Sequence, residues 1–265
     1  MPEIFQYGFM IRALVAGLLV ALTIPVMGSF LVARRYSLIA DSLAHVSLAG
    51  IGAGLMLGFA PVAVAVPVTV LGAILLEWLR QKQHMSGEIS LAILMSGGLA
   101  LAVVFANLAH GTNVDFTSYL FGSITTTNIT DLAVLAVAAL AILILICVNY
   151  RAFLHIAFDE DSARIAGYRV QTLNYLLVAL TAVIAVLSLR IVGGLLISAL
   201  LVIPVVTASR FAKSFMQTIL LAIGVAVLAV MSGLAVAFYA GIAAGGAIVL
   251  AAITLLILSM IWSEQ

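Results

Sequence analysis

Long apolar segments constrain the fold of this chain more than any other feature. Leu132–Val148 and Ile248–Ile261 are apolar almost throughout, and with their flanks they approach the roughly 20 residues that cross a bilayer as a helix. Of the 265 residues, 65% are hydrophobic and 8% are charged, whereas a soluble domain is about half apolar and a quarter charged. The sequence therefore predicts a membrane protein.

The secondary structure follows from the lack of hydrogen-bond partners in lipid. A backbone inside a bilayer must satisfy its own polar groups, which leaves helices or closed barrels. Barrel strands alternate apolar and polar residues, and a run such as AVLAVAALAILILI shows no alternation. We therefore expect an all-α, polytopic transmembrane bundle that forms a single membrane domain over residues 1–265.

Polar or Gly/Pro-rich breaks divide the chain into nine candidate spans. Val192–Ala208 is the least suited to a full crossing, because it is short, contains Pro204 and follows Arg190 almost directly. Eight crossings are thus an alternative to nine. The candidates are Phe9–Ala33, Ser37–Phe59, Pro61–Leu79, Glu88–Ala109, Asp131–Asn149, Leu173–Leu189, Val192–Ala208, Phe215–Tyr239 and Ile242–Trp262.

Basic residues occur in every second connection, with Arg190 as the exception. The connections Gly58–Pro61, His110–Thr130 and Tyr239–Gly241 contain no Lys or Arg. Because cytoplasmic loops are enriched in Lys and Arg, the basic connections are predicted to be cytoplasmic and the loop over 110–130 external. The basic residues are Arg34 and Arg35, then Arg80 and Lys82, then Arg151, Arg164 and Arg169, and finally Arg210 and Lys213.

The longest cytoplasmic connection contains the pattern of a short helix. Asp159, Glu160 and Asp161 stand before Ala163 and a basic residue, and Gly167 follows. Acidic residues at a helix start and a glycine after its end complement the helix dipole and cap the helix. Such a helix fits a docking element for a partner protein, and a helix lying on the bilayer surface is the alternative.

Asp41 and His45 form the sharpest local motif, Asp41-Ser-Leu-Ala-His45 in the second span. Residues four apart lie on one face of a helix, and ionisable groups inside a bilayer usually face a pathway or a partner. Oxygen and imidazole donors suit Zn²⁺, Mn²⁺ or a similar cation. The alternative is a structural hydrogen bond between helices.

Other ionisable residues are weaker candidates. His110 and Asp115 lie in the predicted external loop, where they could form an entrance for a cation. Glu77 and Glu88 flank a cytoplasmic connection, and we interpret both as solvated at the membrane edge.

Asp41 lies only six residues after Arg35, on the order of 9 Å at the helical rise, which is shallow for a site at the bilayer centre.

The sequence carries no motif of an enzyme. It lacks the G-x-x-x-x-G-K-[ST] loop that binds ATP and the H-E-x-x-H motif of zinc proteases. We therefore expect a non-catalytic chain with no permanently bound cofactor.

Gly50 and Gly54, together with Gly58, have the four-residue spacing that lets membrane helices approach closely.

Several segments together resemble the permeases of zinc- and manganese-type ABC importers, and they span nearly the whole chain in the family's order. The Asp41-to-His45 segment after its two arginines is the most specific of them. The segments are Arg34-Arg35-Tyr-Ser-Leu-Ile-Ala-Asp41-Ser-Leu-Ala-His45-Val-Ser-Leu-Ala-Gly50, Tyr119-Leu-Phe-Gly122-Ser-Ile, Asp159-Glu-Asp-Ser-Ala163-Arg-Ile-Ala-Gly167 and Val192-Gly-Gly-Leu-Leu-Ile-Ser-Ala-Leu-Leu-Val-Ile-Pro204-Val-Val-Thr-Ala208.

The resemblance implies a transport subunit in the bacterial inner membrane. Its implied partners are a second permease chain, two cytoplasmic ATPase subunits that hydrolyse ATP, and an extracytoplasmic metal-binding protein. It assigns Asp41 and His45 to the metal pathway and 159–167 to a coupling helix that docks on the ATPase. The resemblance of the D-S-L-A-H and F-D-E-D segments favours zinc as the cargo. The alternatives are manganese or iron, or a stand-alone secondary transporter.

Overall fold

The computed structural model describes residues 7–82, 85–109 and 128–263, and these ranges contain helices and no strands. A helix pairs its backbone polar groups within its own segment, as a membrane requires. The helices are α1 (Gly8–Ala33), α2 (Ile39–Leu57), α3 (Pro61–Lys82), α4 (Gly87–Leu108), α5 (Ile129–Val148), α6 (Tyr150–Phe158), α7 (Glu160–Ile165), α8 (Val170–Val192), α9 (Gly194–Ser209), α10 (Phe215–Ala240) and α11 (Ala244–Ser263). Except between α4 and α5, successive helices are joined by short connections.

Eight of the described helices are long and apolar enough to cross a membrane, namely α1 to α5, α8, α10 and α11. The ninth apolar helix, α9, has 16 residues and is therefore about 24 Å long. It corresponds to the segment that was least suited to a full crossing. The prediction of an all-α polytopic bundle is confirmed, with the lower span count favoured by helix length.

The helices α1 and α2 form the centre of the bundle, and both are largely buried by their neighbours. Helix α1 packs against α5, α9 and α10, while α2 packs against α3 and α4. The α2–α3 contact depends on small residues, because a Cβ at Gly50 would lie 2.6 Å from the Cα of Ala65 and one at Gly54 would lie 2.9 Å from the Cα of Pro61. The predicted close approach is thus confirmed for these two glycines. Gly58 instead ends α2 with a φ of 72°.

The predicted basic connections lie at one end of the bundle. Glu160, in the connection between α5 and α8, forms ion pairs with Arg34 after α1 and with Arg80 near the end of α3. The ring of Phe215, which follows the fourth basic connection, lies 5.9 Å from the ring of Phe158. The positive-inside rule assigns this end to the cytoplasm.

Candidate functional site

Asp41 and His45 lie on the same face of α2, and both side chains are half-buried. Helix α2 is continuous from Ile39 to Leu57, so Asp41 stands in its first turn. The helix contains no break that would move Asp41 deeper into the membrane. The shallow position inferred from the sequence is therefore a property of α2, and neighbouring elements must reach toward it.

The start of α9 reaches this position. Gly193 has a φ of 86°, a conformation that L side chains rarely adopt, and it separates α8 from α9. A Cβ at Gly194 would lie 3.5 Å from the Cβ of Ala44 on α2. The Oγ of Ser198, one turn further along α9, donates a hydrogen bond to Oδ1 of Asp41.

Close contacts with two other helices fix the level of this site. A Cβ at Gly98 of α4 would lie 2.8 Å from the backbone nitrogen of Val46, directly after His45. A Cβ at Gly28 of α1 would lie 2.2 Å from the carbonyl oxygen of Leu201, so α9 crosses α1 at backbone distance one turn after Ser198. Because glycine has no side chain, Gly28 lets α1 pack closely against α9, and Gly98 lets α4 pack closely against α2 beside His45.

The polar atoms of the site are unequally satisfied. Asp41 accepts the hydrogen bond from Ser198, and Nδ1 of His45 is buried without a hydrogen-bond partner. An unpaired buried imidazole nitrogen is costly unless a ligand uses it. Asp41 and His45 are not hydrogen-bonded to each other; Asp41 instead forms an interhelical hydrogen bond with Ser198, whereas Nδ1 of His45 forms none.

The donors available at the site are carboxylate oxygen, imidazole nitrogen and hydroxyl oxygen. These donors suit borderline divalent cations such as Zn²⁺ and Mn²⁺. Within residues 7–82, 85–109 and 128–263, no group of three or more His, Cys, Asp and Glu side chains converges. In this part of one chain, the carboxylate of Asp41 and the imidazole of His45 are thus the two donors of these residue types at the site. The proposed entrance residues His110 and Asp115 lie outside the described residues.

The short cytoplasmic helix α7 has the capping predicted from its sequence. Oδ1 of Asp159 accepts hydrogen bonds from the backbone N–H groups of Asp161 and Ser162, and the Ser162 hydroxyl donates to Oδ2. These hydrogen bonds hold the pKa of Asp159 below its usual value, and the bond from the Ser162 hydroxyl has the largest effect. At the other end, Gly167 has a φ of 86°. Its N–H and that of Tyr168 donate to the last carbonyls of α7, which completes the glycine cap.

The two faces of α7 have different environments. Ala163 is fully buried and packs with Ile156 and Val170. Ile165 is exposed, and the side chain of Asp161 is 88% exposed. Of the residues predicted to couple to a partner, Asp161 thus lies on an open surface, whereas Ala163 attaches the helix to its own chain.

Glu160 points into the chain. Its Oε1 accepts hydrogen bonds from Arg34 at 2.5 Å, from Arg80 at 3.0 Å and from Asn174 of α8 at 3.1 Å. We call these four residues the Glu160 network. Burial opposes ionisation of Glu160, but Arg80 and Arg34 outweigh it and keep its pKa below the usual value.

Glu77 belongs to the same region and corrects the expectation that it is solvated. Its side chain is 0% exposed, and its two oxygens accept hydrogen bonds from Arg80 at 2.7 and 3.2 Å. Gln81 donates a further bond at 2.6 Å. Glu88, interpreted in the same way, is exposed as expected. The guanidinium of Arg80 therefore joins Glu77 to the Glu160 network.

Tyr36 fills the space between these charges. Its ring lies 5.3 Å from the guanidinium carbon of Arg34 and 5.7 Å from that of Arg80, which is cation–π distance. Burial, and next the charge of Glu77, raise the pKa of Tyr36 to about 12. Tyr36 is thus uncharged near neutral pH, and its ring packs against both arginines just before the start of α2.

The sequence reasoning missed Ser198, the inward role of Glu160 and the burial of Glu77. Ser198 stands in the segment 192–208, which was quoted for its resemblance without a role for its serine. Arg80 was interpreted only as a marker of topology, and Arg34 as such a marker and as part of the segment that carries the family resemblance. The acidic residues at 159–161 and the arginines of the other basic connections have opposite charges, and this was the signal from which the pairing of Glu160 with Arg34 and Arg80 could have been predicted.

The fold and the site together define the class of the protein. Multiple apolar helices, basic connections gathered at one end, and a carboxylate–imidazole pair within a span are the features of a multi-pass membrane transport subunit. The chain belongs to the ABC 3 transport family, whose model matches residues 6–263. It is thus a permease of the zinc- and manganese-type metal ABC transporters, located in the bacterial inner membrane.

Two relatives and one solved structure illustrate the similarity. The chain is 29% identical to the high-affinity zinc uptake system membrane protein ZnuB of Haemophilus influenzae, covering 98% of this chain and 100% of the relative. It is 30% identical to the manganese transport system membrane protein MntC of Halalkalibacterium halodurans, covering 99% and 90%. The structure of PsaBC from Streptococcus pneumoniae in complex with Fab superposes with a TM-score of 0.85 at 28% identity, covering 97% and 92%.

Proposed function

We propose that this chain is the membrane-spanning subunit of an ABC importer that moves a divalent metal ion, with zinc favoured, into the cytoplasm. Separate subunits hydrolyse the ATP, and an extracytoplasmic metal-binding protein delivers the ion. The observation that carries the proposal is the unpaired Nδ1 of His45 on the same helical face as Asp41. A buried imidazole nitrogen with no partner beside a carboxylate is suited to contact a passing cation.

Transport requires coordination that is weak enough to release the ion. A closed set of four protein ligands holds zinc as a structural ion, whereas conduction needs sites that an ion can leave. One chain offers a carboxylate and an imidazole here, and a second copy in a homodimer would offer one more of each. We propose that the ion passes the Asp41 and His45 side chains of both copies in turn.

The cargo is zinc or manganese, the two ions for which the relatives are named. The zinc and manganese relatives are 29% and 30% identical, so sequence distance does not separate the two ions. Carboxylate and imidazole donors serve both. We favour zinc because of the Asp41-to-His45 and 158–161 segments, and we expect the metal content of cells with and without the gene to differ in zinc more than in manganese.

The direct test is uptake of Zn²⁺ and Mn²⁺ by proteoliposomes that contain the chain purified with its partners. Asp41→Asn keeps the acceptor for Ser198 and removes the charge, and His45→Gln keeps a polar side chain without the imidazole. Both variants should reach normal membrane abundance and lose uptake. Glu88→Gln, which changes an exposed carboxylate on the cytoplasmic side, is the matched control. Normal uptake by both site variants contradicts the proposed pathway.

The same preparation separates the importer from a stand-alone secondary transporter. An ABC permease should co-purify with an ATPase subunit and require ATP for uptake. ATP-independent uptake by the chain alone would favour the secondary transporter instead.

A further inference from the structure

The Glu160 network joins four elements at the cytoplasmic end of the bundle. A single carboxylate oxygen of α7 receives donors from the residue after α1, from α3 and from α8. The side chain of Arg34 is only 5% exposed and that of Glu160 is 25% exposed, so their ion pair is partly shielded from water. Charge-assisted hydrogen bonds in such surroundings are short and strong. Helix α7 is therefore fastened to the inner ends of α1, α3 and α8.

The connection between α1 and α2 continues this attachment toward Asp41. Arg35 has a φ of 61°, a left-handed conformation that usually requires glycine. It allows the N–H of Arg35 to donate to Val32 and that of Tyr36 to donate to Leu31, at 3.0 and 2.8 Å. These bonds close a tight turn directly after Arg34.

The turn leads into α2 without a flexible residue. The carbonyl of Tyr36 accepts a hydrogen bond at 3.1 Å from the N–H of Ile39, the first residue of α2. The Tyr36 ring is 3% exposed and lies beside both arginines of the network. Asp41 lies two residues after Ile39, in the first turn of α2. Short contacts thus run continuously from Glu160 on α7 to the helix turn that carries Asp41.

We propose that Glu160 is a positioning residue that makes α7, the cytoplasmic ends of α1, α3 and α8, and the first turn of α2 move as one unit. The inference rests on the proposed function, since it assigns how movement of an ATPase-bound α7 shifts Asp41. The exposed face of α7, with Asp161 and Ile165, contacts the partner. Glu160 faces away from that surface and transmits the displacement.

Spatial continuity alone does not demonstrate energetic coupling, so the test measures coupling directly. The complete transporter is purified with its ATPase subunits, and metal uptake and ATP hydrolysis are measured in the same proteoliposomes. Glu160→Gln should retain the ATPase subunits and hydrolyse ATP. We expect metal transported per ATP to fall on the order of tenfold, the scale of coupling between distant sites. Glu88→Gln should keep the normal ratio.

A cross-linking rescue tests the attachment without relying on one variant. In a Cys147→Ser background, which removes the chain's only cysteine, Arg34→Cys and Glu160→Cys are combined. The double variant should be uncoupled before treatment. A short bismaleimide that joins the two thiols should restore the transport-to-hydrolysis ratio, because it replaces the lost attachment. A merely structural defect would not respond to the reagent.

Two results overturn the inference. A normal ratio in Glu160→Gln shows that the network does not transmit movement. Loss of the ATPase subunits from Glu160→Gln, together with no recovery of the Arg34→Cys/Glu160→Cys variant on cross-linking, assigns Glu160 to the docking surface. Failure of the unmodified chain to bind an ATPase or to take up metal contradicts the proposed function itself, so the two failures are distinguishable.

Discussion

Ser198 on α9 donates its hydroxyl hydrogen to Asp41 in the first turn of α2. The two residues are far apart in the sequence, and they meet because α9 begins at the Gly193 break and crosses α1 at Gly28. The bond occupies Oδ1 of Asp41 and restrains the orientation of the carboxylate. Ser198 therefore orients the one acidic side chain that we assign to the metal pathway.

Removing this hydroxyl should weaken metal capture without removing a ligand charge. We expect Ser198→Ala to raise the metal concentration for half-maximal uptake about tenfold, the lower end of the usual range for a lost partner of a metal-binding side chain. The measurement is uptake by reconstituted transporter over a range of Zn²⁺ and Mn²⁺ concentrations.

Ser232→Ala is the matched control for Ser198→Ala. Ser232 lies on α10, and its hydroxyl donates to the Leu228 carbonyl of its own helix. This variant should leave the uptake curve unchanged. Equal curves for Ser198→Ala and the unmodified chain would remove Ser198 from the site.

Local features could be predicted from the sequence, and long-range features could not. The Asp41–His45 face and the caps of α7 depend on residues within a few positions of one another, so spacing alone indicated them. The partner of Asp41 depends on how α9 packs against α1 and α2. Glu77 was wrongly interpreted as solvated because its burial requires Tyr36 and Arg80 to come together with neighbouring elements. These arrangements arise from tertiary packing, which has no short-range pattern.

The different environments of Glu77 and Glu88 give a stability prediction. Glu77→Gln should destabilise the protein by about 1–3 kcal/mol, because it removes the charged acceptor of a buried hydrogen-bonded pair. Glu88→Gln should change stability by less than about 0.5 kcal/mol, as is usual for exposed positions. Thermal unfolding of both variants in detergent measures the difference. An equal effect of the two substitutions would contradict the burial of Glu77.

The Glu160 network predicts a dependence of stability on pH. The pKa of Glu160 is lower in the folded chain than its ordinary value of 4.5. Ionised Glu160 therefore stabilises the fold above pH 4.5, and this contribution is lost as pH falls through the lower, folded-state pKa.

Comparison with Glu160→Gln isolates this contribution. The unmodified chain should melt at a higher temperature than the variant near neutral pH, and the difference should shrink in acid below the ordinary pKa. Melting curves of both proteins over the same pH series measure it. A difference that is constant down to the lowest pH would show that the charge of Glu160 contributes no stability.

The crossing of α1 and α9 predicts that Gly28 cannot accept a side chain. A Cβ at Gly28 would lie 2.2 Å from the backbone oxygen of Leu201, and a backbone atom cannot rotate away as a side chain can. Gly28→Ala should therefore separate α9 from α1, at a cost of about 1–3 kcal/mol or more. Because Ser198 stands one turn before Leu201, metal uptake should fall together with thermal stability.

Gly224→Ala is the control for Gly28→Ala, since a Cβ at Gly224 of α10 meets nothing within 4 Å. Alanine favours a helix over glycine by up to about 1 kcal/mol, so this variant should be as stable as the unmodified chain or more so. Melting temperature and metal uptake are measured for both variants. If Gly28→Ala matches Gly224→Ala in both measurements, α9 does not depend on this crossing for its position, and the placement of Ser198 beside Asp41 must come from other contacts.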